Sequence, residues 1–386
     1  MPSMTPEMLE RIRAEAQART AAVAALAARI CEVPSPTGEE SQRGAFVAAL
    51  LAERGYQTET DDVGNVYTRR GRRGGPLLML LAHIDTVFPA GTPIAVRQEG
   101  DTLHGPGIGD NAVNVASMIT LLDVLDALGV ETSCDLIACA DVGEEGLGNL
   151  RGARAACERF REELGAVLVI DGRQGNITNA GVGSKRWLVT VRGPGGHSFG
   201  AFGVPSAIHG LGRIIAAIAD IQVPHEPKTT YNVGVIEGGT SVNTIAARAS
   251  GLLDMRSVGV PELDQLAAKV ERIIGTAPDP GLTSEIQVVG ERPAGSRPLN
   301  DPLVQLAISV LRWLGYEPEL HASSTDANIP ISLGIPAVCV GVARGEGAHT
   351  VHEFIEIPSI TDGLAQIIRL TIEAGDLVAQ GVVHPD

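Results

Sequence analysis

Four uninterrupted apolar runs decide most of what this chain can fold into. They lie in "PLLMLLAHID" (76–85), "CDLIACADVGEEG" (134–146), "AVLVIDG" (166–172) and "PAVCVG" (336–341). Runs of this length, bounded by turn residues, read as strands buried on both faces. They alternate with helical segments, the clearest at Ala112–Leu128, and that alternation is the signature of an α/β sheet with parallel members. The first run also poses a chemical question. It ends in His83 and Asp85, two residues apart, and side chains at i and i+2 project to the same face of a strand.

A helix is expected from Pro6 to about Cys31 and a second from Ser41 to Arg54, joined by the turn "VPSPTGEE". "DDVGNVYTRR" reads as a strand pair turning at Gly64-Asn65. The character changes near Gly183. "SKRWLVTVRGPGGHS", "TTYNVGVIEGG", "IAARASGLLDMRSV" and "TSEIQVVGERP" are strands, with helices in "AIHGLGRIIAAIADI" and "ELDQLAAKVERIIG". That order, β-α-β-β-α-β, is the ferredoxin-like pattern. After Pro293 the α/β character resumes, with a helix at Pro302–Leu314. The expected organisation is a catalytic domain from 1–182 and 293–386, with a small α+β domain, 183–292, inserted into it.

Charge and cysteine usage restrict the partners. The formal net charge of −16 over 386 residues leaves no basic stripe for nucleic acid or an anionic membrane. No run approaches the ~18–20 apolar residues of a membrane span. Cys31, Cys134, Cys139, Cys157 and Cys339 are odd in number and lack a Cys-x-x-Cys spacing. They read as buried thiols of a cytoplasmic protein.

The apolar strands share one chemical feature. A metal-ligand residue type stands at, or a few residues past, the carboxyl end of each: His83 and Asp85, Glu144 and Glu145, Asp171, and His349 with His352. Asp110 closes the glycine-rich loop "GPGIGD" just before the Ala112 helix. Ligands of open α/β sheets bind outside the carboxyl ends of the strands. Each residue alone has an ordinary structural explanation, but histidines and carboxylates converging on one sheet edge form a donor set for two divalent metals.

The chain carries, in order, "SPTGEE", "LAHIDTV", "GPGIGDN", "DVGEEGLGN", "VIDG", "GPGGHSFGAFG", "GGTSVNTIA", "LDMRS", "STDANIP" and "GAHTVHEF". This series resembles the M20 metallopeptidase family, in its tripeptidase-like (peptidase T-like) branch, from about Val33 to Ile357. The resemblance implies a zinc-peptidase-like catalytic domain and a smaller lid domain through which two copies form a homodimer. It implies two divalent metal ions, with zinc expected and manganese or cobalt as alternatives. The ligands would be His83, Asp110 (bridging), Glu145, Asp171 and His349, the last preferred over His352. Asp85 would orient His83, and Glu144 would act as general base toward a water between the metals. His197 would stabilise an oxyanion in the partner subunit's site. Asn243 and Arg256 would grip substrate, Arg256 being equally suited to pairing with an acidic strand neighbour. Thr325, Asp326 and Asn328 would line the pocket. One stretch departs from the family's pattern: Asn111-Ala112-Val113-Asn114 stands where small or glycine-rich residues, or Asp-Lys, are common, which suggests an altered pocket. The implied activity is hydrolysis of an amide bond in a small peptide or N-acyl amino acid. The alternatives keep the metals and change the substrate (N-carbamoyl, N-aryl amide or aromatic amine), or make the chain a non-catalytic binding protein.

Overall fold

The computed structural model describes residues 4–71 and 74–384. Its contacts divide the chain into two compact units, one holding everything up to Gly181 and from Ser296 onward, the other Val182–Gly295.

In the first unit the four apolar runs form neighbouring parallel strands. Leu77–His83 pairs with Asp135–Asp141 on one side and Leu164–Ile170 on the other, and Ala337–Val340 extends the row beyond Leu164–Ile170. Val66–Arg70 and Asn176–Gly181 flank this row as antiparallel members. All four carboxyl ends therefore open on one edge of the sheet. The strands are apolar throughout because both faces are covered. Leu78, Leu80 and Ala82 join one core cluster, with Ile12, Ala27, Ile119 and Ile368 from three helices. Leu77, Met79 and Leu81 join a second cluster, with Ala153, Ala156 and Ile329.

Two of the helices begin on a side-chain cap. Pro6–Cys31 begins at Thr5, whose hydroxyl accepts the Met8 N–H at 3.2 Å, with Pro6 in the first turn. Pro302–Trp313 begins at Asp301, whose carboxylate accepts from the N–H groups of Leu303 and Val304. Ser41–Glu53 and Val113–Ala127 lie within a residue of their expected ends. Ile108–Ala127 is long and apolar enough to cross a membrane by composition, yet 83% of its most apolar 18 residues is buried inside this unit. Its regular part, Val113–Ala127, is a core helix with nearly every residue buried.

The second unit is a four-stranded antiparallel sheet in the order Thr229–Gly238, Arg248–Ser257, Gly183–Arg192, Thr283–Arg292. Helices Ala207–Ala219 and Val260–Thr276 cover it through Val189, Val191, Ile214, Leu266 and Val270. Strand order and connection order together make the β-α-β-β-α-β pattern ferredoxin-like.

Candidate metal centre

His83 is the last residue of its strand, so Asp85 lies beyond the pleat that would have set both side chains on one face. A turn does the work instead. His83 Nδ1 lies 3.1 Å from the Asp85 backbone carbonyl and 3.5 Å from its carboxylate. Two acceptors at Nδ1 place the ring hydrogen there and leave the Nε2 lone pair facing the sheet edge. The Asp85 carboxylate also accepts the backbone N–H groups of Glu144 and Glu145, at 3.0 and 2.9 Å, and the Thr37 hydroxyl at 2.9 Å. Burial works against its charge, but His83 and those N–H groups outweigh burial and hold the Asp85 carboxyl at about 2. One carboxylate thus fixes both a histidine and the turn that carries two glutamates.

In that turn Gly143 and Gly146 flank Glu144-Glu145 and both adopt left-handed backbone, with φ of 72° and 54°. The two glutamate backbones bond to the same aspartate, and both side chains reach the donor group that includes His83. Glu145 Oε1 meets His349 Nε2 at 2.9 Å.

Asp110 stands at the centre. Its Oδ1 lies 3.1 Å from His83 Nε2, and its Oδ2 lies 3.0 Å from His349 Nε2. Asp171 Oδ1 is 3.8 Å from His83 Nε2. The potential ligand atoms fall into three overlapping groups: His83 with Asp110 and Asp171, Asp110 with Glu145 and His349, and His83 with Glu144 and Glu145. His349 holds a left-handed backbone (φ 65°), unusual for a residue with a side chain. His352 is exposed and belongs to none of these groups.

The residues present fit a metal pair. His83 Nε2 is fully buried and has no partner in hydrogen-bonding geometry among the described residues, although carboxylate oxygens surround it. Such an orphaned buried nitrogen is costly unless something else uses its lone pair. Without ions the cluster is forced to share protons. Burial disfavours charge on His83, yet Asp110, Asp171 and Asp85 hold its pKa well above the ordinary value. Asp110, over the opposing effect of burial, raises His349 to about 9 with help from Glu145. Burial and then the Asp110 charge push Glu145 up to about 7. Two divalent ions would offset the charge of Asp110, Glu144, Glu145 and Asp171. A cavity of ≈ 130 Å³ bounded by Asp110, Gly172, Arg173 and Ala348 lies beside these ligands.

Asn111 and Asn114, expected to reshape the pocket, are buried and structural. Asn111 Nδ2 donates to the Ile170 carbonyl at 3.1 Å, and Asn114 Oδ1 accepts the Val342 N–H at 3.0 Å. Asn114 Nδ2 also donates to Asn111 Oδ1. The pair ties the Asp110 loop to strand ends from beneath, so the departure from the family pattern is absorbed in packing.

Thr325, Asp326 and Asn328 are also buried. Asn328 Oδ1 accepts the Thr325 N–H at 3.0 Å, which closes their turn. Asp326 and the strand-end Asp141 are both fully buried. Burial pushes Asp141 up to about 7, and burial together with the Asp141 charge drives Asp326 well above the carboxylate range. No spacing between positions 141 and 326 signals this acid pair. Thr37, within "SPTGEE", is a partner of Asp85 that the sequence reading did not single out.

His197, Asn243 and Arg256 belong to the second unit. His197 is exposed, and its Nδ1 accepts the N–H groups of Phe199 and Gly200, each at 3.3 Å. Its hydrogen therefore sits on Nε2. The Ser198 N–H donates to the Asn243 carbonyl at 2.9 Å, which holds the two loops together. Arg256 Nε donates to Asp254 at 2.6 Å, the acidic strand neighbour.

The family model described as peptidase family M20/M25/M40 matches residues 79–373. The succinyl-diaminopimelate desuccinylase of Methylobacterium sp. (strain 4-46) is 28% identical over 390 residues, 91% of this chain and 95% of its own. The LysW-lysine hydrolase of Deinococcus radiodurans is 25% identical over 339 residues, 84% of this chain and 89% of its own. Among solved structures, aminopeptidase PepT from Bacillus cereus superposes with a TM-score of 0.77 at 23% identity, covering 92% of this chain and 99% of that one. The Bacillus subtilis YXEP protein, described as a dinuclear metal binding peptidase, gives 0.68 at 17% identity, covering 93% and 99%. At those identities the two structures establish a shared fold.

Proposed function

The chain belongs to peptidase family M20/M25/M40, and on that footing we propose that it hydrolyses the amide bond of a small peptide or N-acyl amino acid. It is a metallohydrolase acting on C–N bonds, with a dinuclear metal site. The observation that carries the assignment of ligands is Asp110, whose two oxygens face different histidines, His83 and His349. A carboxylate so placed serves both subsites. His83 and Asp171 complete one, Glu145 and His349 the other.

Two divalent ions held there, zinc foremost and manganese or cobalt as alternatives, supply an activated water at neutral pH and polarise the scissile carbonyl. The remaining work belongs to the chain. Glu144, beside the ligand Glu145, takes the proton of the attacking water and delivers it to the leaving nitrogen. Asp85 keeps His83 in the tautomer that offers Nε2. His197 presents a protonated Nε2 to the tetrahedral oxyanion, and Asn243 orients substrate beside it. Arg256 serves the substrate while paired with Asp254. The buried Thr325, Asp326 and Asn328 contribute by supporting the floor of the site.

Exposed apolar residues support homodimerisation through the second unit. Phe199 and Phe202, flanking His197, are 89% and 91% exposed, and Val235 and Ile236 stand exposed on the edge strand Thr229–Gly238. An apolar, unpaired edge invites pairing with a second copy. Two-fold pairing there would hand His197 to the neighbouring subunit. The five buried free thiols support a cytoplasmic setting.

The test is a substrate panel of tripeptides, dipeptides, N-acyl amino acids, N-carbamoyl amino acids and N-aryl amides, with zinc, manganese and cobalt added in turn. Turnover of a peptide or N-acyl amino acid that stops on chelation is the expected result. Turnover confined to the N-carbamoyl or N-aryl compounds would replace the proposed substrate class, and no turnover on any member would overturn the reading.

A further inference from the structure

Glu353 lies four residues past His349, outside the donor groups, yet its carboxylate is 2% exposed and fully engaged. Its Oε2 accepts the Gly107 N–H at 2.6 Å, and its Oε1 accepts the N–H groups of Gly109 and Asp110, each at 2.8 Å. These donors are the backbone of the loop that carries the bridging aspartate. The loop is shaped for this contact: a Cβ on Gly109 would come within 2.9 Å of Glu353 Oε1 and 3.1 Å of Ile355. Gly107, with φ of 83°, supplies the left-handed turn that points its N–H inward.

The backbone around Glu353 is equally fixed. The strand Phe354–Glu356 pairs on one edge with Thr102–His104, which leads into the Asp110 loop. On its other edge it pairs with Gly345–Glu346, which leads to His349. The Gly105 N–H donates to the Glu353 carbonyl at 3.0 Å and continues the first pairing. One residue therefore sits where the segments bearing Asp110 and His349 meet.

We propose that Glu353 is a positioning residue: its carboxylate clamps the Asp110 loop and so sets the bridging carboxylate for both metal subsites at once. The inference rests on the ligand assignment above. It has a signature that a purely structural role lacks. Loss of an ordinary buried hydrogen bond lowers the stability of the metal-free fold. Loss of this clamp lowers the affinity for both ions together, because each oxygen of Asp110 serves a different one. The geometry also grades the substitutions. In Glu353→Gln the amide oxygen still accepts from Gly109 and Asp110, while its NH2 is turned against the Gly107 N–H. Glu353→Ala removes all three acceptor contacts.

The experiment titrates metal-free wild type, Glu353→Gln and Glu353→Ala with zinc by calorimetry, with the thermal midpoint of each metal-free protein measured alongside. Wild type should take up two ions. Glu353→Ala should lose about 10–100-fold in affinity for both, the usual effect of removing a partner that orients metal ligands, and Glu353→Gln should fall between. Unchanged affinity at both subsites in either folded variant, whatever happens to the midpoint, overturns the clamp. So does a loss restricted to one ion. Should Glu353→Ala not fold, Glu353→Gln alone decides on the same criterion. If wild type itself fails to bind two ions, the ligand assignment falls first.

Discussion

Glu144→Gln should leave the protein folded and its metal content intact while kcat falls by about 10²–10⁴. The substitution keeps the size and approximate shape of the side chain and removes only its ability to take up a proton. Its backbone N–H still donates to Asp85, at 3.0 Å in the parent structure, so the turn keeps its form. The neighbouring substitution separates the roles. Glu145→Gln replaces a group in contact with His349, at 2.9 Å, and should weaken metal binding. Steady-state kinetics with metal analysis of both variants makes the comparison. Near wild-type turnover in Glu144→Gln would assign the base to another group.

The second large effect concerns His197. Removing an oxyanion donor costs about 10²–10³ in kcat, so His197→Ala and Glu144→Gln should each be nearly inactive alone. Mixed dimers discriminate between a donor acting in its own subunit and one acting across. If His197 serves the partner, a dimer of one His197→Ala chain and one Glu144→Gln chain holds one complete site of two. Random mixing makes half the dimers mixed, so roughly a quarter of wild-type activity should return. No recovery, with subunit exchange verified by native mass spectrometry, would place His197 outside the partner's site.

Most of the framework was legible because it is local. Uninterrupted apolar runs such as Leu77–Leu81 and 166–170 cannot be solvent-facing strands, and strands buried on both faces demand helices on both sides. Once they are parallel, their carboxyl ends lie on one edge, and the residues at or just beyond those ends, His83, Glu145 and Asp171, are brought together by topology. The supporting contacts were illegible because they join segments far apart in the chain. Nothing in "HTVHEF" announces that Glu353 reaches back to Gly107, Gly109 and Asp110. Nothing in "DNAVN" says that Asn114 spends its carbonyl oxygen on Val342. The His83–Asp85 spacing led to the correct partnership by the wrong route, since the strand stops at His83 and a turn supplies the contact. The resemblance alone suggests that "STDANIP" lines the pocket, and nothing in its spacing tells how deeply it is buried. Burial depends on the packing of Asp326 against Asp141 and of Asn328 against Gly181, and spacing carries no trace of either.

The central claim is that five side chains on one sheet edge hold two metal ions. Calorimetric titration of the metal-free protein with zinc near pH 7, in buffers of different ionisation enthalpy, tests it most directly. Ligation must displace the protons that His349 holds up to about 9 and Glu145 up to about 7, so binding should release protons. The sign follows from those raised values: protons compete more strongly as pH falls, so affinity should decline from about pH 9 downward and more steeply below about pH 7. The account predicts two ions per chain in wild type, one in His83→Ala and one in His349→Ala. A single ion or none in wild type would contradict it, and two tight ions in His349→Ala with a loss in His352→Ala would move the ligand three residues along the chain.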